Sequence, residues 1–200
     1  MAAEKQAFLF ENFEFGEKLQ DVLKNTDSTA CGALDYCSPH TVSFLETEWE
    51  EIFTFNNQEE LQQIRLRKAN NADNFFEIQK RLKSKDWLPI FAQSDNEAFD
   101  FIAETRKSDQ EESETAFLNF EEKTLTQSRL LEVIFFPEKF AIRILKSKKT
   151  QNYYQAEEKY KENTVIVTLA RDENHISITF NAPLLSRKNA LRYGSFIKRD

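Results

Sequence analysis

Two stretches late in the chain alternate apolar and polar residues with period two. Val165 to Leu169 and Ile176 to Phe180 face each other across the polar Arg171-Asp172-Glu173-Asn174. Such alternation on both sides of a short polar turn predicts an antiparallel hairpin with one buried face. Leu130 to Phe136, a turn at Pro137-Glu138 and Phe140 to Leu145 read as a second pair of strands, ending in a basic tip at Lys146-Ser147-Lys148-Lys149. Nearer the N-terminus, Ala30 to Tyr36 and Thr41 to Leu45 read as strands around Cys37-Ser38-Pro39-His40, because proline fixes φ and lacks an amide donor. Ile52 to Phe55 is extended, Glu59 to Gln63 looks locally helical, and Ile64 and Leu66 alternate with Arg65 and Arg67 as in a strand.

The period changes in a few places. Leu19, Val22 and Leu23 take the spacing of a helix face, which predicts a short helix over Glu17 to Lys24. Phe75, Phe76, Ile78 and Leu82 suit a strand or, better, an amphipathic helix after the Asn70 to Asn74 turn. Proline at 89 sends Trp87 to Phe91 to a sheet edge or a connection. Residues 106–114 are charged and lack apolar positions, so they read as an exposed or disordered loop. The fold class expected is α+β, predominantly antiparallel sheet with a few short helices, in a single β-rich domain over 1–200.

Composition sharpens this picture. Nineteen Phe against three Gly in 200 residues predict an aromatic core that needs no metal or disulfide to hold it. Cys31 and Cys37, without a CxxC pair or a histidine at ligand spacing, read as reduced thiols on a strand face or in the core, with a disulfide between them as the lesser alternative. The first residues show no basic leader followed by an apolar stretch, and no apolar run is long enough to span a membrane. The expected setting is cytoplasmic.

Known catalytic patterns do not appear. The glycines, at 16, 32 and 194, are too far apart for a phosphate-cradling loop. His40 and His175 each lie near a turn, and Cys37 next to His40 lacks a nucleophile elbow or an oxyanion glycine. Glu111-Glu112 and Glu157-Glu158 sit in polar stretches that keep both carboxylates ionised. No cofactor, metal or catalytic residue is therefore expected.

The net charge of −7 argues against a surface devoted to coating phosphate backbone. Two basic segments stand apart from that balance. One is Lys146, Lys148 and Lys149; the other is Arg187, Lys188, Arg192, Lys198 and Arg199, interleaved with Tyr193 and Phe196. Cations alternating with aromatics hold a nucleic-acid strand or an acidic protein surface, and are equally found in an ordinary charged terminus. Trp49, Trp87, Tyr153 and Tyr154 are the candidate protein-interface anchors, as hot spots favour Trp and Tyr.

Several short stretches together resemble a known family. They are Ala33-Leu34-Asp35-Tyr36 with Thr41-Val42-Ser43-Phe44, Ile52-Phe53-Thr54-Phe55 leading into Glu59-Glu60-Leu61, Leu130-Leu131-Glu132, Tyr153-Tyr154 with Tyr160, and Arg192-Tyr193-Gly194-Ser195-Phe196. The family is the small accessory subunit of type III-D CRISPR effector complexes, numbered nineteen in the Csx nomenclature. The chain departs from it by being longer between Asp95 and Glu122 and poorer in glycine. The resemblance implies a non-enzymatic cytoplasmic subunit of a ribonucleoprotein complex, held mainly by contacts with other protein subunits and touching guide or target RNA mostly indirectly. The residues by themselves also allow a stand-alone β-barrel carrier of a small ligand, or a binding protein of the immunity or chaperone type.

Overall fold

The computed structural model describes residues 8–10, 13–14, 16–70, 74–160 and 164–181. The fold is α+β, as the periodicity predicts. β1 (Phe8–Phe10) and β2 (Phe13–Glu14) pair with each other. Nine further strands hydrogen-bond in one sheet: β3 (Thr29–Ala30), β4 (Asp35–Phe44), β5 (Thr47–Phe55), β6 (Leu61–Ala69), β7 (Trp87–Ser94), β8 (Ala98–Asp100), β9 (Leu131–Pro137), β10 (Ile166–Arg171) and β11 (His175–Asn181). Their order across the sheet is β3-β4-β5-β6-β11-β10-β9-β7-β8. The chain divides into two compact units, residues 1–68, 161–167 and 177–200 in one and residues 69–160 and 168–176 in the other.

In the first unit, rings fill the core that the phenylalanine content foretells. Phe10 stacks on Phe180 at 5.1 Å between centroids, and the Phe44 ring meets both edge-on. Each pair adds roughly 1 kcal/mol to the area it buries. Helix α1 (Leu19–Thr26) buries Val22, close to where the helix spacing predicts it. The hairpin turn lies at Leu45-Glu46, where both residues have positive φ, and not at 37–40. Pro39 is instead absorbed in a bulge, where the four steps from Cys37 to Thr41 oppose the two from Ile52 to Glu50. Glu59 to Gln63 is not helical either. The Asn56 side chain accepts hydrogen bonds from the amides of Gln58 and Glu60 and turns the chain directly into β6.

Cys31 and Cys37 form a disulfide, which corrects the reading of two reduced thiols. The pairing of β3 with β4 sets Thr29 opposite Cys37, and the Cys31 amide donates to the Asp35 carbonyl. That reversal brings the two Cα atoms to 5.8 Å, within bridging range.

In the second unit, helices α2 (Asn74–Ser84), α3 (Phe101–Glu104), α4 (Gln110–Gln127), α5 (Glu138–Lys146) and α6 (Tyr153–Tyr160) accompany β7, β8 and β9. β7 runs between β9 and β8 and is no edge strand; Pro89 is tolerated because the β7–β9 register shifts between Pro89 and Phe91. The exposed or disordered loop read over residues 106–114 is a turn only as far as Asp109, with Lys107, Asp109, Glu111, Glu112 and Glu114 exposed. Asp109 caps α4 by accepting a 2.9 Å bond from the Glu112 amide, and helix begins at Gln110. Phe140 to Leu145 is helical, because Phe140, Ala141 and Ile144 share one buried face while Ile142 is turned outward, 38% exposed.

Arg171 closes the C-terminal end of α4 by donating to the carbonyls of Leu125 and Ser128. Glu121, on the same helix, is fully buried. Its Oε1 accepts a 2.7 Å bond from the Gln79 amide, and its Oε2 has no partner among the described residues. Burial raises its pKa to about 7, against the smaller lowering pulls of Gln79 and Lys83. A folded pKa above the unfolded one means the native state is stabilised by protonation and loses that contribution as pH rises from about 4.5 through 7. Glu121→Gln should therefore leave stability near pH 4 almost unchanged and raise it at pH 8 by up to about 3 kcal/mol, read from urea unfolding at the two pH values.

Candidate functional site

Helix α5 carries Lys139, Arg143 and Lys146 at i, i+4 and i+7, all on its exposed side. At 1.5 Å rise per residue this stripe runs roughly 10 Å along the helix. The chain then turns, with the Thr150 amide donating to the Ser147 carbonyl, and Lys148 and Lys149 stand exposed at the tip. Residues 138–149 thus hold five cations and one carboxylate, in a chain of net charge −7. Among the described residues, none of the four lysines enters an ion pair, and Arg143 lies over the Phe140 ring at 5.8 Å.

Cations at the end of a helix often serve only its terminal carbonyls. Here Arg106 has that role. Its guanidinium donates to the carbonyls of Ile144, Leu145, Ser147 and Thr150 at 2.8–3.4 Å. The lysines are left free of it. Asp100 holds the other end of the segment, since one carboxylate oxygen caps α3 through the Ala103 amide and the second accepts the Tyr153 amide at 2.7 Å. The turn that displays the basic side chains is therefore fixed on both flanks before any partner arrives.

The four candidate aromatic anchors separate. Trp49 is fully buried and donates its indole N–H to the Phe44 carbonyl at 2.8 Å, with the Lys68 ammonium 5.3 Å from its ring. Trp87 is buried on β7, and Tyr153 is buried with its ring stacked on Phe91 at 4.5 Å. Burial, followed by the repulsion of Glu157, holds the Tyr153 hydroxyl protonated well beyond the ordinary tyrosine range. These three pack the core and do not present interface anchors. Tyr154 is 64% exposed, in the first turn of α6 and five residues beyond Lys149. Of the basic candidates, Lys146, Lys148 and Lys149 are brought together with Tyr154 in one short surface segment. Arg187, Lys188, Arg192, Tyr193, Phe196, Lys198 and Arg199 lie outside the described residues.

Lys139 and Arg143 join the site only because α5 is a helix; as a strand, Lys139, Arg143 and Lys146 would not fall on one face. Their spacing of four was the available signal.

Cys37 and His40 do line one cleft of about 410 Å³ in the first unit, with Glu50, Glu51 and Arg67. The sulfur is already bonded to Cys31, so it offers no thiolate nucleophile there. His175 lies in the second unit, its Nδ1 3.7 Å from Asp172. Among the described residues no three His, Cys, Asp or Glu side chains gather as metal ligands, and no helix is long and apolar enough to cross a membrane.

A lysine ammonium cannot fork to the carbonyls that Arg106 reaches. Arg106→Lys should cost about 2 kcal/mol and speed hydrogen exchange at the Thr150 amide, measured by thermal unfolding and by amide exchange. Compared with protein-family models, with curated protein sequences and with solved structures, the chain finds no match.

Proposed function

We propose that the chain is a non-catalytic binding subunit of a ribonucleoprotein, joined to its assembly by protein contacts and meeting a polyanion through the α5 stripe and the 147–150 turn. The observation that carries this reading is the local one: five cations, without ion pairs among the described residues for the lysines, on helix α5 and the turn that follows it, which Arg106 and Asp100 hold in place. Ordering costs are met inside the fold, and the exposed Tyr154 adds an aromatic face of the kind on which unpaired bases stack. The rest of the chain is acidic, so contact with free RNA is weak and screened by salt. Other protein subunits supply most of the binding, with guide or target RNA touched at the margin.

The assembly to test first is a type III CRISPR effector complex, on the strength of the sequence resemblance. A cytoplasmic setting belongs to that reading. The Cys31–Cys37 bond pulls the other way, since cytosolic thiols are kept reduced. Trapping free thiols at the moment of lysis in the native host decides between the two compartments.

Purification of the tagged chain from its own host, with identification of the proteins and RNA that accompany it, tests the proposal as a whole. Replacing Lys146, Lys148 and Lys149 by Ala should reduce RNA retention in the assembly and lower the slope of log affinity against log salt by about 2, at roughly 0.7 per phosphate contact on a single strand. Replacing Glu111 and Glu112 should leave both unchanged. Tight RNA binding by the isolated chain that survives high salt, or a triple variant that retains RNA as before, would overturn this assignment.

A further inference from the structure

The second unit also holds a cavity of about 240 Å³ that the basic stripe does not use. Pro89, Phe101 and Phe117 form the buried part of its lining, with Leu88 half-buried beside them. Its charged lining residues are Lys83 and Glu114, both exposed, and Leu118 stands 54% exposed at the rim. The Lys83 ammonium lies 5.8 Å from the centroid of the Phe117 ring.

Each feature restricts the occupant. Drug-sized ligands occupy about 300–1,000 Å³, so this volume admits a single ring or a short aliphatic chain. Two aromatic rings and a proline favour an apolar body. Lys83 supplies a cation next to low-dielectric wall, where pairing with an anion is stronger than in open water. The lining offers a single ammonium, so it pairs one negative charge and leaves the second charge of a dianion without a partner, which disfavours phosphate esters.

We propose that this cavity is a binding site for a small monocarboxylate with an apolar body of about one ring, its carboxylate paired with Lys83 and its ring set against Phe101 and Phe117. The proposal is independent of the polyanion contact and stands whether or not that contact is real.

The test uses the full chain and three probes: 3-phenylpropionate, the neutral 3-phenylpropan-1-ol and the dianion phenyl phosphate, each followed by calorimetry and by two-dimensional amide spectra. The acid should bind in the millimolar range or tighter and shift resonances at Leu88, Phe101 and Phe117. Lys83→Gln should weaken the acid roughly five-fold and leave the alcohol unchanged. Leu118→Trp, which narrows the rim at an exposed position, should weaken acid and alcohol alike. Phenyl phosphate should bind less well than the acid. Absence of binding, insensitivity of the acid to Lys83→Gln, shifts confined to residues elsewhere, or preference for the phosphate would each overturn the proposal.

Discussion

A single guanidinium governs the surface of the second unit. Helix α5 ends in carbonyls with no amide partner in the helix, and the chain must then reverse direction between Ser147 and Thr150. Arg106 satisfies both demands by donating to four carbonyls around that reversal. The lysines on either side of it can then stay extended in water. If a lysine ammonium were needed to close the helix, its charge would be spent on backbone and the stripe would shorten by one cation. Arg171 works in the same way at the end of α4, with two carbonyls. Planar, permanently charged forks suit this task better than ammonium groups.

The hairpin over Val165 to Phe180 was readable because its alternation has no competing period and its turn is polar. Helix α1 was readable for the complementary reason. The misread segments share another cause: their apolar residues satisfy two templates at once. Phe140, Ile142 and Ile144 alternate like a strand, whereas Phe140, Ala141 and Ile144 form a helix face, and only tertiary packing chooses. Turns were harder still. With so few glycines, left-handed backbone falls to Asp27, Leu45, Glu46, Glu59 and Asp86, residues that carry no turn signal in a sequence except for the aspartates. Helix α4 begins among charges and serines, and its one sign was Asp109 three residues before Glu112.

The candidate site was half visible. Lys146, Lys148 and Lys149 stand out as a run, but Lys139 and Arg143 acquire meaning only once the segment is helical. The clamp could not be foreseen, because Arg106 lies about forty residues upstream of the carbonyls it binds. The aromatic anchors show the converse. Trp49, Trp87 and Tyr153 are drawn inside by their area, and the exposed Tyr154 differs from its neighbour only by one step around a helix.

The sheet ends in its shortest strands. β3 has two residues, tied to β4 beside it by the Cys31–Cys37 bond, and β8 has three. A long strand left open at either end would offer a row of amides and carbonyls to a second chain, and a Phe-rich sequence is a poor place to leave such a template. Ending at β3 and β8 covers part of it: β3 pairs with Tyr36 and Cys37 of β4, and β8 with Phe91 to Gln93 of β7. What shields the sheet at β3 is thus two residues of pairing, held beside β4 by the oxidation state of two sulfur atoms.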